Sequence, residues 1–311
     1  MRILFLGTPE FALISLQKLV EAGEKVVGVV TQPDRPRGRG RKVTASPVKT
    51  FAREKGIPVY QPERLKDREV IEKLAGFAPD LIVVVAYGKI LPREVLQIPP
   101  LGCINVHASL LPRYRGAAPI HWALIKGEEV TGVTTMYIDE GMDKGDIILQ
   151  EEVPILPEDT AGTLHDKLAQ AGARLLLDTV ARIRAGTAPR IPQPAEGVTY
   201  APPLEARDEL LDWNKPARQL WFQVRGLNPW PGALTHWQGG ILKVWVVSPL
   251  EGEATPGEVV AVDKQAGILV GTGEGILRLE EVQPAGKRKM AASDFARGYG
   301  VKEGLFFGSG T

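Results

Sequence analysis

Short apolar segments alternate with amphipathic segments through the first half of the chain. The strand-like runs lie at residues 2–7, 25–31, 81–86 and 102–107, and helical patterns lie at 10–22 and 69–78. This alternation is typical of βαβ units, and runs that are apolar throughout are expected for strands covered by helices on both faces. We therefore predict an α/β domain built on a doubly wound, mostly parallel sheet.

A proline-rich stretch divides the chain. Two further strand-like runs at about 131–138 and 147–153, and a helical stretch at about 160–185, come before it. The stretch itself holds Pro189, Pro192, Pro194, Pro202 and Pro203. Prolines at that spacing cannot continue a helix and suit a semi-rigid linker. The predicted organisation is a first domain over 1–188, a linker over 189–205 and a second domain over 206–311.

Short β-like runs with turns between them make up the region after the linker. Even spacing of short strands predicts a small antiparallel barrel that resembles an OB-fold. Most of the tryptophans of this region are expected in its core, because nothing in their spacing marks exposure. They are Trp213, Trp221, Trp230, Trp237 and Trp245.

The composition is that of a globular protein, with 44% hydrophobic and 24% charged residues. The apolar runs are far shorter than the roughly 18 residues that a membrane span requires, and the first residues show no secretory pattern. A cytoplasmic protein without a membrane partner is expected. The single cysteine, Cys103, lies in an apolar strand and is predicted to be a buried hydrophobe rather than a nucleophile. The net charge of +1 gives no global sign of a nucleic-acid partner, so any such partner must be recognised by local clusters.

Asn105 and His107 are the first candidates for chemistry. They stand two residues apart at the carboxyl end of a strand-like run, so both side chains are predicted on one face of the sheet. Ligands of open α/β sheets bind outside the carboxyl ends of the strands. The turn at residues 7–10 has one glycine where a dinucleotide-binding fingerprint has three, so a nicotinamide or flavin cofactor is not favoured.

A second candidate segment is YIDEGMDKGDIILQ, residues 137–150. Gly141 and Gly145 allow the backbone to turn tightly around Asp143. The spacing of its acidic residues does not match an EF-hand calcium loop, and the chain has no histidine or cysteine cluster with zinc spacing. No metal is predicted.

Several separated motifs resemble the formyltetrahydrofolate-dependent transformylases. They are NVH (105–107), SLLPRYRGAAP (109–119), MDKGD (142–146), TQPDRPRGRGRK (31–42), VVVAYGKILP (83–92) and NPWPGA (228–233). The resemblance covers nearly the whole chain, and the order of the motifs makes it more specific than any single one. It is closest to the members of the family that act on methionyl-tRNA.

This resemblance implies transfer of a formyl group from 10-formyltetrahydrofolate to the amino group of an initiator methionyl-tRNA. The implied catalytic set is Asn105, His107 and Asp143. The folate would contact the SLLP segment, and the end of the preceding strand would line the pterin side. These residues are Ser109, Leu110, Leu111 and Pro112, and Val84, Val85, Ala86, Tyr87 and Gly88.

The residue types suit that chemistry. Attack of an amine on a formyl carbon creates an oxyanion, which the Asn105 amide and a protonated His107 can stabilise. The amine must also lose a proton, which Asp143 beside His107 can relay directly or through water. Whether His107 or Asp143 is the formal base stays open.

Two basic clusters are the predicted tRNA contacts. A loop after the second strand is interleaved with glycines and lies on the expected active-site side, where it suits the tRNA acceptor end. A second cluster lies in the second domain. The residues are Arg35, Arg37, Arg39, Arg41 and Lys42 in the loop, and Lys287, Arg288 and Lys289 in the second cluster.

Three alternatives stay open at this point. A related transformylase would act on a small amine, although the basic loop and the second domain argue against it. A hydrolase would direct water at the formyl carbon with the same residues. A non-catalytic tRNA-binding protein would have kept the fold alone, which the intact Asn105, His107 and Asp143 disfavour. The sequence indicates no obligate protein partner, and it gives neither the oligomeric state nor the tRNA bases that mark the initiator.

Overall fold

The computed structural model describes residues 1–37, 42–263 and 267–308 of the 311-residue chain. The chain divides into two compact units. The first comprises Met1–Pro119, Val130–Pro154 and His165–Pro202, and the second comprises Ile120–Glu129, Ile155–Leu164 and Pro203–Thr311.

The strands of the first unit are, in chain order, β1 (Arg2–Gly7), β2 (Lys25–Val30), β3 (Arg35–Arg37), β4 (Lys42–Thr44), β5 (Val59–Tyr60), β6 (Leu81–Val85), β7 (Cys103–His107), β8 (Arg115–Gly116), β9 (Val130–Tyr137), β10 (Ile147–Pro154) and β11 (Tyr200–Ala201). The helices up to residue 185 are α1 (Glu10–Glu21), α2 (Pro47–Glu54), α3 (Arg68–Gly76), α4 (Arg93–Leu96), α5 (Pro119–Ile125) and α6 (Ala161–Ala185). Within the described residues, no helix is long and apolar enough to cross a membrane.

The main sheet has the strand order β10-β9-β7-β6-β1-β2-β5. The strands β5, β2, β1, β6 and β7, which are adjacent in that order, run parallel to one another. The strands β9 and β10 are antiparallel to the strands beside them. The predicted doubly wound, mostly parallel sheet is confirmed. Because the chain order reverses between β1 and β6, a crevice is expected outside the carboxyl ends of these two strands.

Apolar side chains cover both faces of this sheet. The strand β6 is buried along its whole length, and β1 is buried from its second residue onward. Cys103 is 3% exposed, and burial raises the pKa of its thiol to about 12. The thiol is therefore neutral at physiological pH, which confirms the prediction of a buried hydrophobe rather than a nucleophile.

The proline-rich segment is part of the first unit. The backbone of Ile191 exchanges two hydrogen bonds with Ile147 at the start of β10, at 2.8 and 3.0 Å. Further along, β11 pairs in parallel with β8. The prolines exclude a helix as predicted, but they leave the intervening N–H groups free to pair in an extended conformation. Residues 191–201 thus act as a brace on the first unit, where the sequence suggested a spacer.

The second unit contains α7 (Ala206–Glu209), α8 (Ala217–Leu227), β12 (Ala233–Trp237), β13 (Gly240–Leu250), β14 (Val259–Asp263), β15 (Gly267–Gly271), β16 (Ile276–Pro284), β17 (Met290–Ala291) and α9 (Ala292–Tyr299). Its antiparallel sheet has the order β12-β13-β16-β15-β14, with β17 on β16. The predicted small antiparallel domain is confirmed. Trp213 and Trp237 lie in its core, whereas Trp230 is 69% exposed.

Two short segments that precede residue 188 pack in the second unit, although the sequence predicted that the first domain extends to that residue. The His121 ring donates from Nδ1 to the carbonyl of Gly226, at 2.8 Å. Arg225 on α8 donates from Nε to the Asp159 carbonyl and from Nη2 to the Leu156 carbonyl, both at 2.7 Å. These contacts hold residues 120–129 and 155–164 against the second unit.

We expect Arg225→Met to lower the free energy of unfolding by about 2–4 kcal/mol, because it removes the guanidinium hydrogen bonds to the Leu156 and Asp159 carbonyls. Burial lowers the pKa of the Arg225 guanidinium, because it removes the charge from water. Arg218→Met, on the exposed side of the same helix, should change that free energy by less than about 0.5 kcal/mol. Urea unfolding of both variants tests this, and equal effects would contradict it.

Candidate active site

Asn105 and His107 lie at the carboxyl end of β7, in the middle of the sheet. The residue between them, Val106, faces α6, since a Cβ placed on Gly172 of that helix would come within 2.9 Å of Val106 Cγ1. Strand alternation therefore turns Asn105 and His107 to the opposite face, as predicted. Asn105 is half-buried, and within the described residues its amide has no hydrogen-bond partner. That amide is available to a ligand.

The His107 ring is 6% exposed, and an oxygen atom faces each of its nitrogens. Its Nε2 lies 2.9 Å from the carbonyl oxygen of Tyr114, and a carbonyl can only accept, so Nε2 carries a proton and donates it. Its Nδ1 lies 3.8 Å from Oδ2 of Asp143, which is beyond direct hydrogen-bond distance. The ring nitrogen that remains for proton transfer is Nδ1, on the Asp143 side.

Asp143 lies on the loop between β9 and β10. Its carboxylate is 17% exposed, and Oδ2 accepts a hydrogen bond from the backbone N–H of Gly116 at 2.9 Å. Its backbone has φ +51°, a left-handed conformation that a non-glycine residue adopts at some cost. The structure thus brings together the three residues that the resemblance assigned to catalysis. In the described residues, no group of histidine, cysteine and carboxylate side chains is arranged to hold a metal.

The loop that follows β7 supplies the backbone acceptor and donor of this site. Tyr114, whose carbonyl meets His107, has φ +58° and donates its N–H to Oγ1 of Thr199 at 2.8 Å. Arg115 donates its N–H to the Thr199 carbonyl at 2.9 Å, and Ala118 donates to the Ala201 carbonyl at 3.1 Å. None of these partners was predicted, because backbone contacts between distant segments leave no periodic signal in the sequence.

The SLLP segment packs mainly inward. Ser109 is fully buried and donates from Oγ to the Arg113 carbonyl at 2.6 Å, while Leu111 is 3% exposed and packs with Met136 and Ile147. Leu110 and Pro112 are half-buried. We conclude that this segment shapes the site through its backbone more than through its side chains.

Thr134 on β9 fixes the backbone of that segment, and sequence reasoning missed it. Its hydroxyl donates to the Ser109 carbonyl at 2.7 Å and accepts from the Leu111 N–H at 3.1 Å. Gln150 donates from Nε2 to the Leu111 carbonyl and to the Thr134 hydroxyl, both at 2.9 Å. The available signal was the register, since Thr134 lies directly beside His107 on the neighbouring strand.

A pocket of about 410 Å³ lies at the reversal of strand order between β1 and β6. That volume is within the range of small-molecule sites. Among the predicted folate contacts, Ala86 and Gly88 are exposed at its rim, and Tyr87 lines it. Val84 and Val85 are core residues of β6, at 7% and 0% exposure, so the side chain of Val85 presents no surface to a ligand.

Tyr87 is 2% exposed, and its hydroxyl has no partner among the described residues. Burial raises the pKa of this phenol to about 12, so it stays neutral at physiological pH. Its carbonyl accepts a hydrogen bond from Nε2 of Gln32 at 3.0 Å, which joins the ends of β6 and β2 across the pocket. Tyr87 is therefore a wall of the pocket rather than an acid or a base.

The basic loop begins at the rim of this pocket, at Arg35. Asp34, just before β3, pairs with the buried ammonium of Lys49 and accepts from Gln61 Nε2 at 2.8 Å. The Lys49 hydrogen bond is the largest cause that lowers the pKa of Asp34, so its carboxylate is charged. Arg35 is exposed and lines the pocket. The backbones of Arg37 and Lys42 pair in β3 and β4, and the predicted contacts Arg39 and Arg41 lie outside the described residues.

The second basic cluster, Lys287 to Lys289, is an exposed turn between β16 and β17. Lys289 lies 3.9 Å from the ring centroid of Trp245 and 3.4 Å from a carboxylate oxygen of Glu281. The Lys287 carbonyl accepts from Nε2 of Gln283 at 2.8 Å, which fixes the turn on β16. The cluster thus exposes positively charged side chains on a turn whose backbone is fixed by Gln283.

The central site has three chemical capacities. The Asn105 amide can donate a hydrogen bond, Nδ1 of His107 can take up and release a proton, and the Asp143 carboxylate can accept one. The pocket lies at the end of the next strand, since Asn105 on β7 pairs with Val84 on β6, two residues before the rim residue Ala86. This set can stabilise negative charge on a carbonyl oxygen and move a proton.

Two family models match the chain. The model described as formyl transferase matches residues 1–180, and the model described as formyl transferase, C-terminal domain, matches residues 203–300. The first alone covers more than half of the chain.

Curated relatives match the chain over almost its full length. The methionyl-tRNA formyltransferase of Symbiobacterium thermophilum is 57% identical over 310 residues, which cover 99% of this chain and 95% of that protein. The methionyl-tRNA formyltransferase of Pelotomaculum thermopropionicum is 54% identical and is covered to 99%, as is this chain.

Solved structures show the same fold at low identity. HypX from Aquifex aeolicus in complex with tetrahydrofolic acid is 20% identical with a TM-score of 0.66, and the match covers 97% of this chain and 48% of that one. An N-formyltransferase from Helicobacter canadensis, in complex with folinic acid and dTDP-3-aminofucose, is 19% identical with a TM-score of 0.65 and coverages of 89% and 98%.

We expect Gly145→Ala to lower the free energy of unfolding by about 2 kcal/mol or more. An added Cβ would meet the carbonyl oxygen of Tyr137 at 1.8 Å, so the backbone of the Asp143 loop must shift. Gly141→Ala is the matched control in the same loop, since its Cβ would approach mainly the flexible side chain of Lys144. Thermal and urea unfolding should separate the two variants, and equal stability would refute a tightly packed loop.

Proposed function

The chain belongs to the formyl transferase family, and from this premise we propose that it transfers the formyl group of 10-formyltetrahydrofolate to the α-amino group of methionyl-tRNA. The observation that carries the proposal is the meeting of Asn105, His107 and Asp143 at the carboxyl end of β7. The near full-length likeness to methionyl-tRNA formyltransferases supports the choice of acceptor.

The Asn105 amide and His107 are the proposed oxyanion donors. When the amine attacks the formyl carbon, the carbonyl oxygen gains negative charge, and preorganised donors lower the energy of that state. The Asn105 amide has no competing partner within the described residues, so it is free to donate to the oxygen. When both ring nitrogens of His107 carry a proton, Nδ1 is the donor to the oxyanion, because Nε2 already donates a hydrogen bond to the Tyr114 carbonyl.

Asp143 and His107 are the proposed proton path. After the neutral amine attacks, its nitrogen is positively charged and must lose a proton, and the folate nitrogen that leaves must gain one. The 3.8 Å between Nδ1 and Oδ2 leaves room for a small rearrangement or a bridging water, so one proton can pass from the amine to the leaving nitrogen through these groups. When the tetrahedral intermediate collapses, the C–N bond between the formyl carbon and the folate breaks, and the new C–N bond to the amine is kept. The step needs no oxidant or metal.

The pocket at β1 and β6 suits a substrate of moderate size, and its polar lining suits a ligand with several hydrogen-bonding groups. The exposed apolar side chains of Ile90 and Met142, at 82% and 60% exposure, lie beside the rim and beside Asp143 in the sequence. Flat apolar ring surfaces of a folate can pack on such residues. The folate contacts predicted at Ala86, Gly88, Leu110 and Pro112 remain part of this proposal.

Cations on each unit support a tRNA substrate. Arg35 stands at the rim of the pocket where the basic loop begins, and Lys287 and Arg288 are exposed on the second unit. Phosphate contacts by such residues give binding that weakens with salt. An initiator tRNA as the preferred acceptor, a cytoplasmic location and the lack of an obligate protein partner belong to the same proposal.

The direct test is to mix the protein with 10-formyltetrahydrofolate and methionyl-tRNA and to look for N-formylmethionine on the tRNA. Formylation of free methionine or of a small amine in place of the tRNA would favour a small-amine transformylase. Release of formate without any acceptor would favour a hydrolase.

We expect His107→Ala, Asp143→Ala and Asn105→Ala each to lower kcat by at least ~100-fold with little loss of folate binding, because they act on charge that develops in the transition state. His165→Ala is the control, since His165 lies on α6 and contacts Phe11 and Asp166. Single-turnover transfer and equilibrium folate binding test this. Normal turnover in any of these variants would show that the substituted residue is not catalytic.

We expect Lys287→Ala and Arg288→Ala to raise the KM for tRNA and to reduce the slope of tRNA binding against salt by about one each, as for the loss of a phosphate contact. Folate affinity should stay unchanged. Lys302→Ala, an exposed lysine after α9, is the control. If the slope of tRNA binding against salt is the same in these variants as in Lys302→Ala, the cluster does not contact the tRNA.

A further inference from the structure

Gln193 is a half-buried residue within an exposed segment. Its neighbours from Arg190 to Pro192 and from Pro194 to Gly197 are exposed. The flanking prolines have fixed φ, and Ile191 is tied to Ile147 by the two-way backbone pairing described above. The side chain of Gln193 is thus delivered from a stiff backbone.

The amide of Gln193 makes four hydrogen bonds that join two loops. Its Nε2 donates to the carbonyls of Asp143 and Gly145, at 2.8 and 2.9 Å. Its Oε1 accepts from Nε and Nη2 of Arg115, at 3.1 and 2.6 Å. Every donor and both acceptor positions of the amide are therefore used.

This arrangement fixes the orientation of the amide. A flipped amide would place its oxygen against two carbonyl oxygens and its NH₂ group against the Arg115 guanidinium, which also only donates. An amide satisfies both sides, whereas aspartate and glutamate lack the donors and lysine lacks the acceptor.

The two loops joined by Gln193 are those that set the catalytic contacts. Arg115 precedes Gly116, whose N–H binds the Asp143 carboxylate, and it follows Tyr114, whose carbonyl binds His107. Asp143 itself is held at φ +51°. Gln193 binds the main-chain carbonyl of the same residue, so it supports the backbone that carries the carboxylate.

We propose that Gln193 is a positioning residue for the transfer reaction, which holds the Asp143 loop and the Arg115 loop in register so that the Asp143 carboxylate faces His107. This inference rests on the proposed function. Gln193 contacts neither ring nitrogen of His107, so its effect on chemistry passes through the placement of Asp143.

The kinetic signature is a fall in kcat without a matching rise in KM. Displacement of a catalytic group by about 1 Å costs on the order of 100-fold in rate, so we expect Gln193→Ala to lower kcat by about 10- to 100-fold. The KM values for tRNA and folate should stay within about threefold, since no predicted binding residue is removed.

Gln193→Glu separates the two halves of the clamp. It has the same shape and keeps an acceptor for Arg115, but it brings an oxygen against the carbonyls of Asp143 and Gly145. We expect kcat to fall at least as far as in Gln193→Ala. Glu196→Ala, three residues along the same segment and exposed, is the control and should match the unchanged protein.

Hydrogen exchange of the full-length protein without substrates gives a readout that does not depend on the reaction. Amides of residues 141–146 should exchange about tenfold faster or more in both Gln193 variants and should be unchanged in Glu196→Ala. Transfer by the unchanged protein tests the proposed function separately, so the two ideas can fail independently.

The positioning role would be overturned if Gln193→Ala had a kcat within threefold of the wild-type value. It would also be overturned if Gln193→Glu turned over at the wild-type rate. Equal exchange in all variants would overturn it too. If Gln193→Ala does not fold, Gln193→Glu decides by the same criteria. Unfolding of both would assign Gln193 to stability alone and contradict the proposal.

Discussion

His107 faces an acceptor oxygen at each ring nitrogen, and the rest of the active site depends on this constraint. The Tyr114 carbonyl accepts a hydrogen bond from Nε2, so a rotation of the ring would break a buried hydrogen bond at a cost of about 1–3 kcal/mol. Nδ1 is left for chemistry, toward Asp143. The backbone at Tyr114 and Gly116 thus selects the reactive nitrogen and places the carboxylate that faces it.

That backbone is held by a segment that looks like a spacer in the sequence. Thr199 binds the N–H groups of Tyr114 and Arg115, and β11 pairs with β8. The left-handed backbones of Tyr114 and Asp143 are conformations that persist only where the surroundings hold them. A parallel sheet sets the position of the catalytic strand, and the proline-rich brace of residues 191–201 sets the loops above it.

The sequence predicted what periodicity encodes. Alternation along β7 placed Asn105 and His107 on one face, and apolar runs predicted the sheet and the burial of Cys103. Contacts between distant segments were not predictable, because Gln193 and Asp143 are 50 residues apart and meet through main-chain carbonyls. For the same reason, the packing of residues 155–164 with Arg225 was missed. The SLLP motif was recognised, but its inward packing follows from Thr134, which carries no motif.

A backbone carbonyl fixes which ring nitrogen of neutral His107 carries the proton. Long-range ¹H–¹⁵N NMR of the imidazole rings measures this directly, and the chain has four histidines, so comparison with His107→Ala assigns the signal. The structure predicts that neutral His107 carries its proton on Nε2, with Nδ1 unprotonated toward Asp143. A proton on Nδ1 with a bare Nε2 would contradict this assignment, because a bare Nε2 cannot donate to the Tyr114 carbonyl 2.9 Å away.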